Sequence, residues 1–186
     1  MARIALDIDS TLHHYWDLIE RVVLDRHGIE IPYEKQTGWG IAALDRDQAV
    51  AVIQETHSEA NILAGEPYPG AVDTVRRWHG ESHWIHVTSH RAEETHGATT
   101  RWLEQIGMPY DDLFCSYDKV TRCVELGIDV LVDDSPVNIE RALEAGIVPA
   151  TIVHPWNEAL VARGHVVAGK DWPELAAALH PVLARD

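Results

Sequence analysis

Cysteine and cationic side chains are scarce in this sequence. Two cysteines, Cys115 and Cys123, provide no disulfide framework, and this usage is typical of a reducing compartment. Only 15 Lys and Arg side chains stand against 30 Asp and Glu, and the formal net charge is -15. This balance argues against non-specific binding to a nucleic acid polymer or to an anionic membrane. A phosphorylated small molecule stays open as a substrate, because the local field matters more than the total charge.

Long apolar runs are also missing. No run approaches the roughly 20 residues needed to span a bilayer. Near the N-terminus, Asp7 and Asp9 interrupt the apolar stretch that a secretory signal would need. We therefore expect a cytoplasmic protein that does not bind membranes.

Short apolar runs alternate with helical patterns along the chain, which is typical of βαβ units around a parallel sheet. The length of 186 residues and the hydrophobic fraction of 46% fit one compact domain with a modest insertion. The sequence predicts an α/β fold with a doubly wound, Rossmann-like parallel sheet. Its predicted strands lie at 3–9, 83–89, 113–116, 128–134 and 149–154, and its predicted helices at 70–80, 91–107, 135–147 and 171–186.

The segment between the first two predicted strands is much longer than a simple crossover, which needs about a dozen residues or more. Residues 15–28 and 46–60 carry helical patterns, and no core strand is predicted between them. We predict that residues 13–67 form a small helical cap over one end of the sheet. Residues 1–12 and 68–186 would then form the core.

Acidic and hydroxyl side chains stand at the carboxyl ends of three predicted strands. Ligands of open parallel α/β sheets bind outside these ends, so we expect the side chains to meet in one crevice. Carboxylates this close repel one another unless a hard cation lies among them, and a set of oxygen ligands suits Mg²⁺. The residues are Asp7, Asp9, Thr88, Ser89, Asp133 and Asp134.

One lysine is placed to join these carboxylates. A dianionic phosphate would be repelled there unless a cationic side chain also reached it. The chain has three lysines, and Lys119 stands near the start of the helix that precedes the strand at 128–134. Lys119 can therefore point into the same crevice.

These motifs resemble those of the haloacid dehalogenase (HAD) superfamily. "DIDST" at 7–11, "VTS" at 87–89, Lys119 and "VDDSP" at 132–136 follow that superfamily's order over nearly the whole chain. The resemblance implies a HAD-like core with a C1 cap after the first motif. Within the superfamily the sequence is most similar to the 5'(3')-deoxyribonucleotidases, although "TSHR" at 88–91 replaces the "TSP"-like sequence expected there.

The resemblance also implies catalytic roles. Asp7 would attack phosphorus in line and form an aspartyl-phosphate, while Asp9 would protonate the leaving oxygen and later deprotonate the hydrolytic water. Thr88, Ser89 and Lys119 would bind the phosphoryl oxygens.

Metal-binding and supporting roles follow from the same resemblance. Mg²⁺ would be held by Asp7, by the carbonyl of Asp9 and by one carboxylate of the pair Asp133 and Asp134. Thr11 would orient Asp9. Asn138, in the following helix, would brace the loop that carries the acidic pair.

Candidate substrate contacts border the motifs or lie in the predicted cap. The histidines could equally be solvated loop residues, and the tryptophans could stack on a base or simply cover a helix pair. The candidates are His13, His14, Trp16, Trp39 and His90.

Other acidic or histidine-based sites fit the sequence less well. Leu12 stands where an EF-hand calcium loop needs glycine, and Lys119 precedes the acidic pair, in contrast to receiver domains. Histidine pairs at i, i+4 spacing lack a sustained helix that would align them on zinc.

The sequence thus predicts a Mg²⁺-dependent phosphomonoesterase with a small phosphorylated substrate, foremost a (deoxy)ribonucleoside monophosphate. The alternatives are a phosphatase for a sugar phosphate or another phosphorylated metabolite, and a phosphotransferase that uses the same intermediate. No nucleic acid polymer and no membrane is expected as a partner, and a homodimer is left open.

Overall fold

A computed structural model describes residues 1–38 and 40–184. Six parallel strands form one sheet in the order β3-β2-β1-β4-β5-β6. The strands are β1 Arg3–Leu6, β2 Trp84–Ser89, β3 Asp112–Cys115, β4 Val130–Val132, β5 Val148–Ile152 and β6 Val167–Gly169. The predicted α/β fold class with a parallel sheet is confirmed.

Helices connect the strands throughout the described residues. None of them is long and apolar enough to cross a membrane. Short 3₁₀ turns lie at Tyr33–Lys35 and Glu93–Thr95. The α-helices are α1 Tyr15–His27, α2 Arg46–Thr56, α3 Glu59–Leu63, α4 Ala71–Gly80, α5 His96–Gln105, α6 Lys119–Glu125, α7 Pro136–Glu144, α8 Glu158–Val161 and α9 Trp172–Leu183.

Both faces of the sheet are buried, because successive side chains of a strand point to opposite faces and helices cover each face. Ile4 and Leu6 of β1 pack in a cluster with apolar residues of α4, α5 and α9. Ala5, between them, packs with Leu131 of β4 in a second cluster, together with residues of α6 and α7. The apolar run of β1 therefore supplies both sides of the core.

The order of the strands places the site. The chain leaves β1 toward β2 and β3 on one side, then returns to β4 on the other side and continues to β5 and β6. The direction in which successive strands are added therefore reverses between β1 and β4. Open α/β sheets bind their ligands at such a topological switch point. Backbone hydrogen bonds continue past both strands there: the Asp7 amide donates to the Val132 carbonyl at 2.9 Å, and the Asp133 amide to the Ala150 carbonyl at 3.0 Å.

Three helices, α1 to α3, lie between β1 and the helix that leads to β2. Buried residues of α1 form a cluster of their own with Ile31 and with Val52 of α2. Trp156, which follows β5, also packs in this cluster and joins it to the core. The bounds 13–67 of the predicted cap stay a prediction.

The predicted helix at 46–60 is instead two helices. Helix α2 ends at Thr56, whose hydroxyl donates to the Ile53 carbonyl at 2.8 Å and so competes with the helical backbone pattern. Ser58 is extended, and α3 begins after it. The break leaves His57 free to turn toward the carboxyl end of the sheet.

Several other predicted elements are shorter than expected, and two were missed. The strand predicted at 128–134 ends at Val132, and the helix predicted at 91–107 is regular only from His96. Strand β6 has three residues and α8 has four, and neither is long enough to show a period in the sequence.

Candidate active site

Three acidic side chains and one lysine meet at the carboxyl end of the sheet. Asp7 directly follows β1, Asp133 and Asp134 follow β4, and Lys119 begins α6. One oxygen from each of the three carboxylates lies within 4.8 Å of the others. The Lys119 ammonium is 2.6 Å from Oδ1 of Asp7 and 2.7 Å from Oδ2 of Asp133.

Lys119 is a buried cation, with 1% of its surface exposed. Burial alone would lower the pKa of Lys119, but the charges of Asp133 and Asp7 and their hydrogen bonds raise it above its usual value. The ammonium therefore stays charged between the two carboxylates.

The three clustered carboxylates, when ionised, carry more negative charge than Lys119 alone can neutralise. Burial, with repulsion from Asp133 and Asp9, raises the pKa of Asp7 to about 7 although Lys119 opposes the shift. Burial and the charges of Asp7 and Asp133 also raise the pKa of Asp134 well above its usual range. A second cation at this place would let the carboxylates ionise together.

Asp133 and Asp134 differ in their hydrogen-bond donors. The Asn138 amide nitrogen lies 3.1 Å from both oxygens of Asp133, and the Ser135 backbone amide donates to Oδ1 at 2.9 Å. Asp134 accepts from the indole N–H of Trp156 on Oδ2 at 3.1 Å, and no donor to its Oδ1 lies among the described residues. Asp133 is therefore fixed by the protein, whereas Asp134 keeps an oxygen for another ligand.

This donor set fits a hard divalent cation. The three acidic residues offer only oxygen ligands, are buried and lie close together, as a Mg²⁺ site requires. The raised pKa values of Asp7 and Asp134 show that the protein alone does not compensate their charges. Asp7 and Asp134 are the carboxylates best placed to hold the ion.

Asp9 lies in a cage of cationic and hydrogen-bonding side chains. Arg91 donates from Nε to Oδ2 at 3.0 Å and from Nη2 to Oδ1 at 2.7 Å. His13 lies 3.0 Å from Oδ1, and His57 lies 3.4 Å from Oδ2. Burial alone would raise the pKa of Asp9, but Arg91, His13 and His57 lower it well below its usual value. The cage therefore stabilises Asp9 as a carboxylate.

Thr11 contacts Asp7 and not Asp9. We expected Thr11 to orient Asp9, but its hydroxyl lies 3.4 Å from Oδ2 of Asp7. Ser10 adopts a left-handed backbone conformation with φ 62°, and the Thr11 amide donates back to the Ile8 carbonyl. This tight turn directs Thr11 back toward the end of β1.

The predicted phosphate-binding hydroxyls have different surroundings. Thr88 is fully buried, and no partner for its hydroxyl lies among the described residues. The Ser89 hydroxyl lies 3.5 Å from Oδ2 of Asp9 and accepts from the Arg91 amide at 3.3 Å. The buried hydroxyl of Ser135, after Asp134, also has no partner in the described chain. Ser135 lines the cavity at this site, so its unpaired hydroxyl favours a polar ligand there, whereas Thr88 and Ser89 do not line it.

His154 holds the turn after β1. Its Nε2 lies 2.7 Å from the Ser10 carbonyl, and its Nδ1 lies 2.7 Å from the Tyr33 hydroxyl. The carbonyl can only accept, so Nε2 carries the proton and Nδ1 accepts from Tyr33. The ring stacks on Trp156 with centroids 4.5 Å apart. This neutral histidine therefore links the Ser10 turn, the segment after α1 and the indole that contacts Asp134.

Lowering the pH should decrease the stability of the folded protein, because buried His154 resists protonation in the folded state. Burial, with the charge of His14, lowers the pKa of His154 to about 4, so the folded protein binds fewer protons than the unfolded chain between about pH 4 and 6.5. The free energy of unfolding should therefore fall as the pH falls through this window. Burial lowers the pKa of His86 and His90 to about 4 as well, and their contributions have the same sign.

The measurement is urea unfolding at pH 7 and pH 5 for wild type, His154→Gln and the exposed control His165→Gln. His154→Gln should reduce the loss of stability between the two pH values, and His165→Gln should leave it as in wild type. Equal losses in all three proteins would contradict this reading of His154.

A cavity of about 490 Å³ connects the acidic groups with the helices between β1 and β2. Its charged lining residues include Asp7, Asp9, Lys119 and Asp134. Much of the remaining lining is apolar and includes Trp16, Ile19, Ile41, Ile53 and Trp156. The cavity can therefore accept a molecule that carries both a charged group and an apolar or aromatic body.

Solved structures share this architecture. A HAD family hydrolase from Deinococcus radiodurans R1, with bound phosphate and sodium, aligns with TM-score 0.71 and 16% identity over 98% of this chain and 97% of its own. A predicted phosphatase from Clostridium acetobutylicum aligns with TM-score 0.70 and 13% identity over 96% and 97%. D,D-heptose 1,7-bisphosphate phosphatase from B. bronchiseptica, complexed with magnesium and phosphate, aligns with TM-score 0.57 and 15% identity over 98% and 99%.

This chain has the HAD fold. No protein-family model matches its sequence, and no curated protein matches it. At these identities the likeness to solved structures concerns the fold, so the roles of individual residues rest on the geometry described above.

Not all candidate substrate contacts line the cavity of this HAD fold. Trp16 and His90 line it, and His90 stacks on the exposed Tyr117 with centroids 5.7 Å apart. His13 is buried beside Asp9, and His14 packs on Tyr68 at 4.0 Å, with neither lining the cavity. Trp39 lies outside the described residues.

Three residues of the site escaped the sequence analysis. Arg91 belongs to the "TSHR" segment that departs from the expected motif, and this departure was the available signal. His57 marks the break between α2 and α3, and Trp156 follows β5. Neither of these two stands near a motif in the sequence, so no local pattern pointed to it.

Proposed function

We propose that the protein is a Mg²⁺-dependent phosphomonoesterase that works through an aspartyl-phosphate on Asp7. The observation that carries the proposal is the buried Asp7 carboxylate, 2.6 Å from the Lys119 ammonium and grouped with Asp133 and Asp134. A nucleophile, a fixed cation and a set of oxygen ligands for a metal are thereby combined in one cavity. This combination supports phosphoryl transfer.

In the first half-reaction, a carboxylate oxygen of Asp7 forms a bond to phosphorus while the bond from phosphorus to the ester oxygen breaks. The leaving alkoxide takes a proton from solvent, because Arg91, His13 and His57 keep Asp9 ionised at this stage. Lys119 neutralises charge on the phosphoryl oxygens, and the unpaired hydroxyl of Ser135 lines the same cavity as a further donor.

In the second half-reaction, a water oxygen forms a bond to phosphorus, and the bond between phosphorus and Asp7 breaks. The electron pair returns to the Asp7 carboxylate, and the water proton passes to Asp9. The ion pair with Arg91 keeps Asp9 in the carboxylate form that this step needs.

A divalent cation would be held by Asp7, by Asp134 and by the backbone carbonyl of Asp9. When bound, it would neutralise the phosphoryl group and the clustered carboxylates. Asp133 supports the site from its place between Lys119 and Asn138.

We infer that the substrate is a small phosphate monoester, foremost a (deoxy)ribonucleoside monophosphate. Trp16 and Trp156, with ring centroids 5.6 Å apart, provide an aromatic surface in the cavity. Gln54 and Arg46 also line the cavity and offer hydrogen bonds to a base. The nucleotidase resemblance of the motifs agrees with this choice.

Phosphate release from a panel of nucleoside monophosphates and sugar phosphates, with Mg²⁺ and with EDTA, tests the function and the substrate class. We expect release that needs Mg²⁺ and is fastest with deoxynucleoside monophosphates. Faster release from sugar phosphates would agree with the proposed phosphomonoesterase reaction but would replace nucleotides with sugar phosphates as the substrate class. Transfer to an added alcohol, in place of hydrolysis, would indicate a phosphotransferase.

Magnesium should stabilise the folded protein. An ion that binds only the folded state adds about 2.7 kcal/mol when its concentration is a hundredfold above its dissociation constant. We therefore expect Mg²⁺ to raise the thermal midpoint of wild type in an EDTA-treated sample, and Asp134→Asn to remove most of this increase. Asp25→Asn, at an exposed position of α1, is the matched control and should keep it. An equal increase in Asp134→Asn would show that Asp134 does not hold the ion.

A further inference from the structure

Arg91 is among the most completely buried charged side chains of the described protein, with 1% of its surface exposed. Its guanidinium pairs with Asp9 through two hydrogen bonds, from Nε to Oδ2 at 3.0 Å and from Nη2 to Oδ1 at 2.7 Å. A planar fork of this kind fixes both the position and the plane of a carboxylate.

Other residues hold Arg91 itself in place. Its third nitrogen, Nη1, donates to the fully buried hydroxyl of Thr99 at 3.3 Å, and its backbone amide donates to Ser89 at 3.3 Å. The guanidinium also faces the buried ring of Trp102, with its carbon 5.8 Å from the ring centroid. Helix α5 thus anchors Arg91 from the side away from Asp9.

Arg91 lies outside the lining of the cavity in which we propose that the substrate binds. Asp9 lines the cavity, whereas Arg91 lies behind it and is absent from the cavity lining. His57, which carries a second contact to Asp9 at 3.4 Å, comes from the segment between α2 and α3. Any effect of Arg91 on the reaction must therefore pass through Asp9.

We propose that Arg91 is a positioning residue that fixes the Asp9 carboxylate for attack of water on the aspartyl-phosphate. This inference rests on the proposed function. The ion pair with Arg91 makes the Asp9 carboxylate a weaker proton acceptor, so Arg91 does not assist the reaction by increasing the basicity of Asp9. Its contribution to the rate is the orientation of the carboxylate. Misplacing a catalytic group by about 1 Å can cost about 10²-fold in rate.

The two half-reactions should respond differently to Arg91→Gln. With p-nitrophenyl phosphate, the leaving nitrophenolate needs no proton, so Asp7 can be phosphorylated without help from Asp9. Breakdown of the aspartyl-phosphate still needs Asp9 to accept the water proton. We expect kcat to fall about 10²-fold and KM to fall with it, so that kcat/KM stays within a few-fold of wild type. A burst of about one p-nitrophenol per enzyme should precede the slow steady state.

The controls separate positioning from a general loss of structure. Arg91→Lys keeps the charge without the planar fork and should show the same pattern if Arg91→Gln fails to fold. Arg101→Gln removes an exposed arginine from α5, the helix that anchors Arg91, and should behave as wild type. In an Asp9→Asn background, Arg91→Gln should lower kcat little further, because the residue it acts through is already lost.

The outcomes are distinct. A fall of kcat/KM as large as the fall of kcat in both folded Arg91 variants, without a burst, would overturn the inference and assign Arg91 to phosphate binding or folding. Additive effects of Arg91→Gln and Asp9→Asn would overturn it as well. If wild type releases no phosphate from p-nitrophenyl phosphate or from nucleotides, the proposed function fails, and the inference fails with it.

Discussion

Replacing Asp7 with Asn is expected to lower phosphate release by about 10⁴-fold or more, because the amide cannot attack phosphorus. The substitution keeps the size of the side chain, and its carbonyl oxygen can still accept from Lys119. It also removes a buried carboxyl group that Asp133 and Asp9 repel. The folded structure should therefore survive the change.

The measurement pairs the rate of phosphate release with urea unfolding of the same protein. Asp25→Asn, at an exposed position, is the matched control and should keep the wild-type rate. An Asp7→Asn variant that folds and still turns over at a rate near that of wild type would rule out Asp7 as the nucleophile.

Replacing Lys119 with Met should damage both stability and activity. Lys119 separates two buried carboxylates, at 2.6 Å from Asp7 and 2.7 Å from Asp133. Removing one partner of a buried ionic group costs about 3–5 kcal/mol, because the remaining charges are left uncompensated. We expect the free energy of unfolding to fall by about this amount, and phosphate release to fall by about 10³-fold, since a fixed cation for the phosphoryl group is lost.

Lys170→Met is the matched control for Lys119→Met, because Lys170 is exposed near the start of α9. It should leave both stability and rate unchanged. Mg²⁺ should restore part of the stability of Lys119→Met, since it neutralises the same carboxylates. A Lys119→Met protein as stable as wild type in EDTA would contradict the ionic cluster described for this site.

The order of elements and the meeting of the acidic motifs follow from short-range signals in the sequence. Ile4, Ala5 and Leu6 are buried on both faces, as expected of an apolar run in a parallel sheet, and the predicted strands correspond to β1 to β5. The carboxyl ends of parallel strands share one edge of the sheet. For this reason Asp7 and Asp133 could be placed together before their contact with Lys119 was seen.

The surroundings of Asp9 could not be predicted in the same way. Arg91 follows β2 by two residues, and its direction depends on the irregular segment that delays the start of α5. His57 points at Asp9 because α2 stops at Thr56, where an unbroken helix was expected. Such contacts depend on the residues at which helices and strands begin and end. The hydrophobic pattern of a sequence predicts the type of an element better than it predicts these boundaries.

The contacts of Trp156 and His154 could not be predicted from the sequence either. Trp156 contacts Asp134 across 22 residues of sequence, and His154 supports Ser10 across 144. Neither Trp156 nor His154 belongs to a motif, so the sequence did not point to these contacts. The pairing of β4 with β5 and the packing of the segment after β5 against α1 bring these residues to the site.

Acid-quenched mass spectrometry of the enzyme during turnover tests the central claim most directly. With Mg²⁺ and a hydrolysed monoester, the protein should carry one phosphoryl group, and reduction with borohydride should convert the phosphorylated residue at position 7 to homoserine. The adduct should be absent from Asp7→Asn. Phosphate release by wild type without any adduct on Asp7, or with the adduct on another residue, would contradict the mechanism proposed for this site.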